Sequence, residues 1–243
     1  MSQPSPSSGP VLACFAHQDD AEISSGGALA KFAGQGREVH LLVLTNGDRG
    51  SNDPTMDREE LARTRTDEVM EAGRVLGLAR VRILGTHDGE LANDPAVRSE
   101  IARDIREIRP TTIVTCDPTA WFFEVGDPPT AFFNHADHRR AGEATLDASF
   151  PGAGNPHYFT EQLAEGLEPW DVSEVWLGWT NEPNHAEDVT GYFRTKVDAL
   201  AKHASQLAEG IRFFEEFMGD EARRAGARIG VEHAEEFRLV HLD

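Results

Sequence analysis

Five short apolar runs, spaced by stretches of helical pattern, constrain this chain more than any other feature. The runs at 11–16, 39–45, 81–84, 111–116 and 172–179 are aliphatic and partly β-branched, and each reads as a strand. Between the first four lie helix-like stretches at 27–36, 58–77 and 95–108, and in the second of these Leu61, Val69, Ala72 and Leu76 share one apolar stripe. Near-continuous hydrophobic strands alternating with helices predict a parallel sheet covered on both faces and joined by right-handed crossovers. The expected class is therefore α/β: a Rossmann-like, doubly wound, mostly parallel sheet with a smaller C-terminal part.

The expected organisation is a disordered tail over 1–10, a Rossmann-like metal-binding catalytic core over 11–150, and a C-terminal part over 151–243 that completes the same domain. After Cys116 the alternation lapses into a stretch, 117–134, that reads as a long loop and carries Trp121, Phe122, Phe123, Phe132 and Phe133. A helix at 137–149, an irregular segment with Pro151 and Pro156, a long helix at 190–217 and a last strand at 235–242 follow.

Charge removes whole classes of partner. Lys and Arg number 23 against 42 Asp and Glu, a net −19, which opposes binding to nucleic-acid phosphates or anionic bilayers. No run approaches the roughly 18 apolar residues of a membrane span. Cys14 and Cys116 are too few for a disulfide framework and sit inside apolar runs. A cytoplasmic protein acting on a small molecule is the expectation.

The chemistry gathers at strand ends. Ala16-His17-Gln18-Asp19-Asp20 follows the first strand directly, and doubly wound sheets bind ligands at the carboxyl ends of their strands. His17 and Asp20 can share one divalent ion, an imidazole nitrogen and a carboxylate oxygen suiting zinc. Asp19 stays free to take a proton from water at such an ion. A capping role for these residues is the plain alternative. A second cluster, Asn134-His135-Ala136-Asp137-His138-Arg139, follows the fourth strand and opens a helix. His138 can complete a His-Asp-His set with an open position for water. His135 is left to donate to a developing oxyanion, with Asp137 as an acceptor that tunes an imidazole.

These two stretches resemble the signatures of the LmbE-like family, also called the PIG-L family of zinc-dependent de-N-acetylases. Ala16–Ile23 is similar to the family's Ala-His-Pro-Asp-Asp motif, and His135–Arg139 to its His-Pro-Asp-His-Arg motif. The stretch Leu44-Thr45-Asn46-Gly47-Asp48, the segment 65–77, Asp88-Gly89 and the late pattern Lys196, His203, Gln206 extend the resemblance over nearly the whole chain. It implies a zinc site, with Fe2+ and other divalent ions also accommodated, formed by His17, Asp20 and His138, with Asp19 as general base and His135 polarising the acyl oxygen. It places Asp48, Arg65 and Asp88 on sugar hydroxyls, although Arg65 and Asp48 can instead pair at the sheet edge. It implies removal of acetate from an N-acetylglucosamine-type sugar or conjugate, and relatives that commonly form trimers or hexamers. Such an assembly can use the strand carrying Trp176 and Trp179, and His203 can complete a neighbouring subunit's site.

The chain departs from the pattern at several positions. Gln18 and Ala136 replace both signature prolines, and Asp48 replaces a glutamate, with one methylene less reach. Phe133 stands where a tyrosine is common, so no phenol is available there. The aromatic stretch leaves two rivals open: an amidase for larger sugar-thiol or natural-product conjugates, whose aglycone stacks on those rings, and a non-catalytic sugar-binding module. Phe132 and Phe133 can equally anchor the loop to the core, with Trp121 nearer the substrate.

Overall fold

The computed structural model describes residues 8–125, 130–207 and 210–242, with backbone alone described at 124 and 125. Residues 1–7 of the expected tail lie outside the described residues. Gly9 and Pro10 are already pinned, their carbonyls accepting from Arg37 Nε and the Thr111 N–H. The first half alternates as expected: β1 (Val11–Phe15), α1 (Asp20–Gly34), β2 (Val39–Thr45), α2 (Arg58–Leu76), β3 (Arg80–Thr86), α3 (Pro95–Ile108) and β4 (Thr112–Cys116). It continues with a hairpin, β5 (Phe122–Val125) and β6 (Thr130–Phe133), then α4 (Ala136–Asp147), a distorted helical turn at Ala148–Ala153 and α5 (Thr160–Ala164). Last come β7 (Glu174–Gly178), β8 (His185–Asp188), α6 (Phe193–Leu200), a 3₁₀ turn at Ala204–Gln206, α7 (Ile211–Ile229) and β9 (Ala234–His241).

Seven strands form one sheet in the order β3-β2-β1-β4-β7-β9-β8. The first five in that order run parallel, while β9 pairs antiparallel with both β7 and β8. Strand β1 is buried at every position. Its alternate side chains feed two separate cores: Leu12 and Cys14 pack with Ile101, Ile105 and Ala141 beneath α3 and α4, whereas Val11, Ala13 and Phe15 pack with Leu29 and Phe32 of α1 on the other face. Each fully buried Leu or Phe of this kind stabilises the fold by about 1.5–3 kcal/mol. Because the chain steps from β1 outward to β2 and β3 and then back past β1 to β4, the order reverses between β1 and β4. A crevice opens there at the strands' carboxyl ends.

Several elements differ from expectation. Helix α1 begins at Asp20, seven residues before the expected helical stretch at 27–36, and contains the Gly26–Gly27 pair. Those glycines serve packing: a Cβ on Gly27 would lie 2.8 Å from Val189 Cβ, and the Gly27 and Ala28 N–H groups donate to Glu235 of β9. The long helix expected at 190–217 is two helices: α6 ends at Leu200, and α7 starts after Gly210, whose φ is +76°. Part of the expected 117–134 loop is the β5–β6 hairpin, paired through Phe122 with Phe133 and Phe123 with Phe132. Residues 126–129 of that loop lie outside the described residues. Phe133 is 86% exposed and Phe132 47%, so neither anchors the hairpin to the core.

Candidate metal centre and active site

The β1–β4 crevice holds a cavity of about 340 Å³ lined by His17, Asp19, Asp20, Arg65, Asp88 and His138, among others. A larger groove of about 490 Å³ between α6 and α7 shares none of these residues and is lined by surface residues such as Arg212, Glu215 and Arg223. Convergent ligand chemistry, not volume, separates the two.

His17 leaves β1 and Asp20 opens α1, so the tight turn brings the Asp20 carboxylate back to the His17 N–H at 2.8 Å. His17 Nδ1 lies 3.4 Å from Asp20 Oδ2 and 3.2 Å from His138 Nε2, and His138 Nε2 lies 3.1 Å from Asp20 Oδ1. The far side of each ring is fixed. His17 Nε2 faces Asp88 Oδ1 at 3.1 Å and Asp137 Oδ2 at 3.6 Å, while His138 Nδ1 faces Asn134 Oδ1 at 3.0 Å. Carboxylate and amide oxygens only accept, so in the neutral rings the protons sit on His17 Nε2 and His138 Nδ1. Two imidazole lone pairs and an anionic carboxylate therefore converge on one point. That donor set suits a divalent cation, with the rings oriented by acceptors behind them.

The electrostatics agree. Burial disfavours a charge on His17, but Asp20, with Asp137 and Asp88 after it, outweighs burial and lifts the imidazole pKa to about 12. Burial would raise the carboxyls of Asp20 and Asp88. Asp20 is instead held well below the usual range by His138 and His17, and Asp88 is lowered by His17 and Arg65. His135 moves the other way, lowered by burial and by its neighbours His17 and His138. Its Nδ1 accepts the Asp137 N–H at 3.2 Å, so the neutral ring carries its proton on Nε2. Ligand atoms of His17, His135 and His138 also lie within 4.8 Å of one another, as do those of His17, Asp88 and Asp137.

The remaining expected site residues are distributed less simply. Arg65, 3% exposed, donates to Asp19 Oδ1 at 2.9 Å and to the Gly47 carbonyl at 3.1 Å. It clamps Asp19 and does not pair with Asp48. Asp48 is behind the site: its carboxylate accepts the Asp88 N–H at 3.1 Å, His87 Nδ1 at 2.9 Å and Arg58. Its short side chain organises the turn that carries Asp88. Asp88 lines the cavity, yet its nearer oxygen is engaged by His17. Asp137 backs His17 and accepts the Gly89 N–H at 2.7 Å. His203 is fully buried, 3.5 Å from Glu22 of the same chain, so it cannot reach a neighbouring subunit. Sequence reading placed Asn134 in the second cluster and Trp179 on a strand, but gave neither a role at His138. Trp179 stacks on His138 at 4.6 Å between centroids and lines the cavity; its position on an apolar strand pattern gave no sign of that.

Sheet topology and the cluster at its switch point define the class, a metal-dependent enzyme of doubly wound α/β architecture. The chain belongs to the PIG-L family: the family model described as GlcNAc-PI de-N-acetylase matches residues 12–149. It is 32% identical over 232 residues to the diacetylchitobiose deacetylase of Thermococcus kodakarensis, covering 95% of this chain and 82% of that one. The solved N,N'-diacetylchitobiose deacetylase of Pyrococcus horikoshii superposes with a TM-score of 0.85 at 29% identity, covering 96% of this chain and 84% of that one. The 4-carboxy-2-hydroxymuconate hydratase of Pseudomonas putida KT2440 shares the fold at a TM-score of 0.77 and 20% identity, covering 97% of each chain. The architecture thus serves more than one reaction, and the chemistry must be argued from the site. The chain is a deacetylase by family, a hydrolase acting on amides. Among the described residues no helix is long and apolar enough to cross a membrane, and Cys14 and Cys116 are free and buried.

Proposed function

We propose that this chain removes the acetyl group from an N-acetylglucosamine-type sugar or sugar conjugate, with zinc held by His17, Asp20 and His138. The carrying observation is the convergence of two imidazole nitrogens, 3.2 Å apart, on the Asp20 carboxylate at the switch point. A divalent cation bound there supplies Lewis acidity, lowering the pKa of water and polarising the acetyl carbonyl. Asp19 takes the proton of the attacking water. Arg65 holds its Oδ1, so Oδ2 is the oxygen that works. His135, neutral with its proton on Nε2, donates to the oxyanion of the tetrahedral species. Asp19 then returns its proton to the leaving amine. Asp88 and Asp137 act through His17, and Arg65 and Asp88 also border the space open to sugar hydroxyls. The test is acetate release from a panel of N-acetylated sugars and conjugates by metal-quantified protein. Asp19→Ala should lower kcat by about 10²–10⁴-fold with metal retained; near-full activity in that variant would sink the base assignment.

A second reading, an amidase for larger conjugates, is favoured by the exposed aromatic rings of β5–β6 immediately before His135. Equal rates on free N-acetylglucosamine and an aglycone-bearing analogue would count against it. The family resemblance supports a homo-oligomer, trimer or hexamer, which sedimentation checks, and the two free thiols support a cytoplasmic setting.

A further inference from the structure

His138 is gripped from a side that the ligand assignment does not use. The Trp179 indole lies over its imidazole, 4.6 Å between centroids and 26° from parallel. Trp179 reaches that position only through a left-handed backbone, φ +50°, a conformation that a bulky residue rarely adopts and that persists where its surroundings over-determine it. The surroundings are on either side in sequence. The Gly178 carbonyl accepts the Asp117 N–H at 2.8 Å, and a Cβ on Gly178 would lie 2.2 Å from Ser24 Oγ, so this strand end is pressed against α1. Thr180 Oγ1 donates to Asp117 Oδ2 at 2.6 Å, while Asp117 Oδ1 accepts the Thr119 N–H at 2.8 Å. Buried Asp117, at the end of β4, thus latches the residues before and after Trp179. The fourth side of the ring is Asn134, 2% exposed, whose Oδ1 faces His138 Nδ1 at 3.0 Å and whose Nδ2 donates to the Ala120 carbonyl at 2.8 Å.

We propose that Trp179 is a positioning residue for His138: the latched indole fixes the imidazole plane so that Nε2 faces the cation position, and it thereby sets metal retention. The proposal rests on the reading that His17, Asp20 and His138 hold the metal. An imidazole tethered at Cγ and held at Nδ1 by one hydrogen bond can still swing about its side-chain torsions, and a ring stacked on its face limits that swing. Loss of an outer partner of a metal-ligating histidine costs about 10–100-fold in affinity.

The experiment measures Zn2+ affinity of the full chain by chelator competition for wild type, Trp179→Phe, Trp179→Ala, Trp179→Gly and His138→Ala, with thermal melts as the folding control. We expect Trp179→Ala and Trp179→Gly each to lose about 10–100-fold, and Trp179→Phe, which can still stack, to stay near wild type. Glycine relieves the left-handed backbone, so wild-type affinity in Trp179→Gly would assign the effect to the turn and overturn the role of the ring. Should Trp179→Ala and Trp179→Gly not fold, Trp179→Leu, apolar but unable to stack, takes their place with the same expected loss. An independent readout is the quenching of intrinsic fluorescence by Co2+, expected to be largely lost in Trp179→Phe while Co2+ still binds; unchanged quenching would overturn the stack. If His138→Ala binds Zn2+ as wild type does, the metal reading itself fails. If His138→Ala loses Zn2+ and Trp179→Ala does not, only the positioning role fails.

Discussion

Two buried polar clusters flank the same sheet and behave oppositely. Arg106, on α3 and 2% exposed, is met by acceptors at every turn. Its Nε donates to the Ala153 carbonyl at 3.1 Å, and its two terminal nitrogens donate to the carbonyls of Gly152, Asn155, Tyr158 and Phe159 and to Gln162 Oε1, all at 3.0–3.2 Å. No carboxylate is among these partners. The guanidinium ties the irregular 152–162 segment to α3 by hydrogen bonds alone, which suits a delocalised cation with five donors. At the switch point the reverse holds: His17 Nδ1, His138 Nε2 and Asp20 face one another and leave a shared need for positive charge. The satisfied cluster holds the fold, and the other is where we propose that a metal ion binds. That contrast explains why burial and charge by themselves did not distinguish structure from function.

Breaking the two clusters should give opposite readouts. Asp20→Ala should abolish metal retention and lower acetate release by more than about 10³-fold, combining the loss of the Lewis acid with that of water activation, while the far-UV spectrum stays native; metal analysis beside a turnover assay checks it. Arg106→Ala should take a donor from five carbonyls, of which those of Ala153, Asn155 and Phe159 keep a backbone N–H, and destabilise by about 1–3 kcal/mol, read in urea denaturation, with Zn2+ affinity of the folded protein unchanged. An Arg106 variant that lost metal without losing stability would erase the distinction drawn between the clusters.

The pH sharpens it further. His17 is lifted to about 12 by its carboxylates, so in chelator its contribution to stability is fully present below the ordinary histidine value near 6.5 and is lost as pH rises toward 12. Metal competes for the same nitrogen, so apparent Zn2+ affinity should rise with pH by about tenfold per unit for the one proton displaced. Calorimetric titration at several pH values checks the slope, and a flat profile would mean that His17 is not a ligand. The smallest effect is expected at the hairpin: Phe133→Ser should change stability by less than about 0.5 kcal/mol and alter rates only on aglycone-bearing substrates.

Particular residues show how far the sequence could be read. The His17–Asp20 turn was legible because it directly follows an unmistakable apolar strand, and the His135–His138 turn because it opens the next helix after β4, although the β5–β6 hairpin stands between them. Arg106 was not, since an Arg within Arg103-Asp104-Ile105-Arg106 resembles an ordinary solvated helix face. Its partners lie some 46–56 residues away, in a segment of no regular pattern. The family resemblance places Asp48 on sugar hydroxyls, and nothing local in the sequence shows that His87, Arg58 and the Asp88 N–H also meet its carboxylate. Lys196 and Glu235, 2.6 Å apart and buried, likewise give no local sign that they join α6 to β9.

Periodicity and strand-end placement by themselves determined the doubly wound sheet, its switch point and the residue types gathered there, because hydrophobic period and chain order are local properties. Tertiary structure alone decided which acceptor stands behind each imidazole, that Arg65 clamps Asp19, that Asp48 turns inward, and that a left-handed Trp179 covers His138. Those outcomes depend on distances of a few ångströms between segments far apart in the chain, and hydrogen bonds and ring stacks form or fail at that scale.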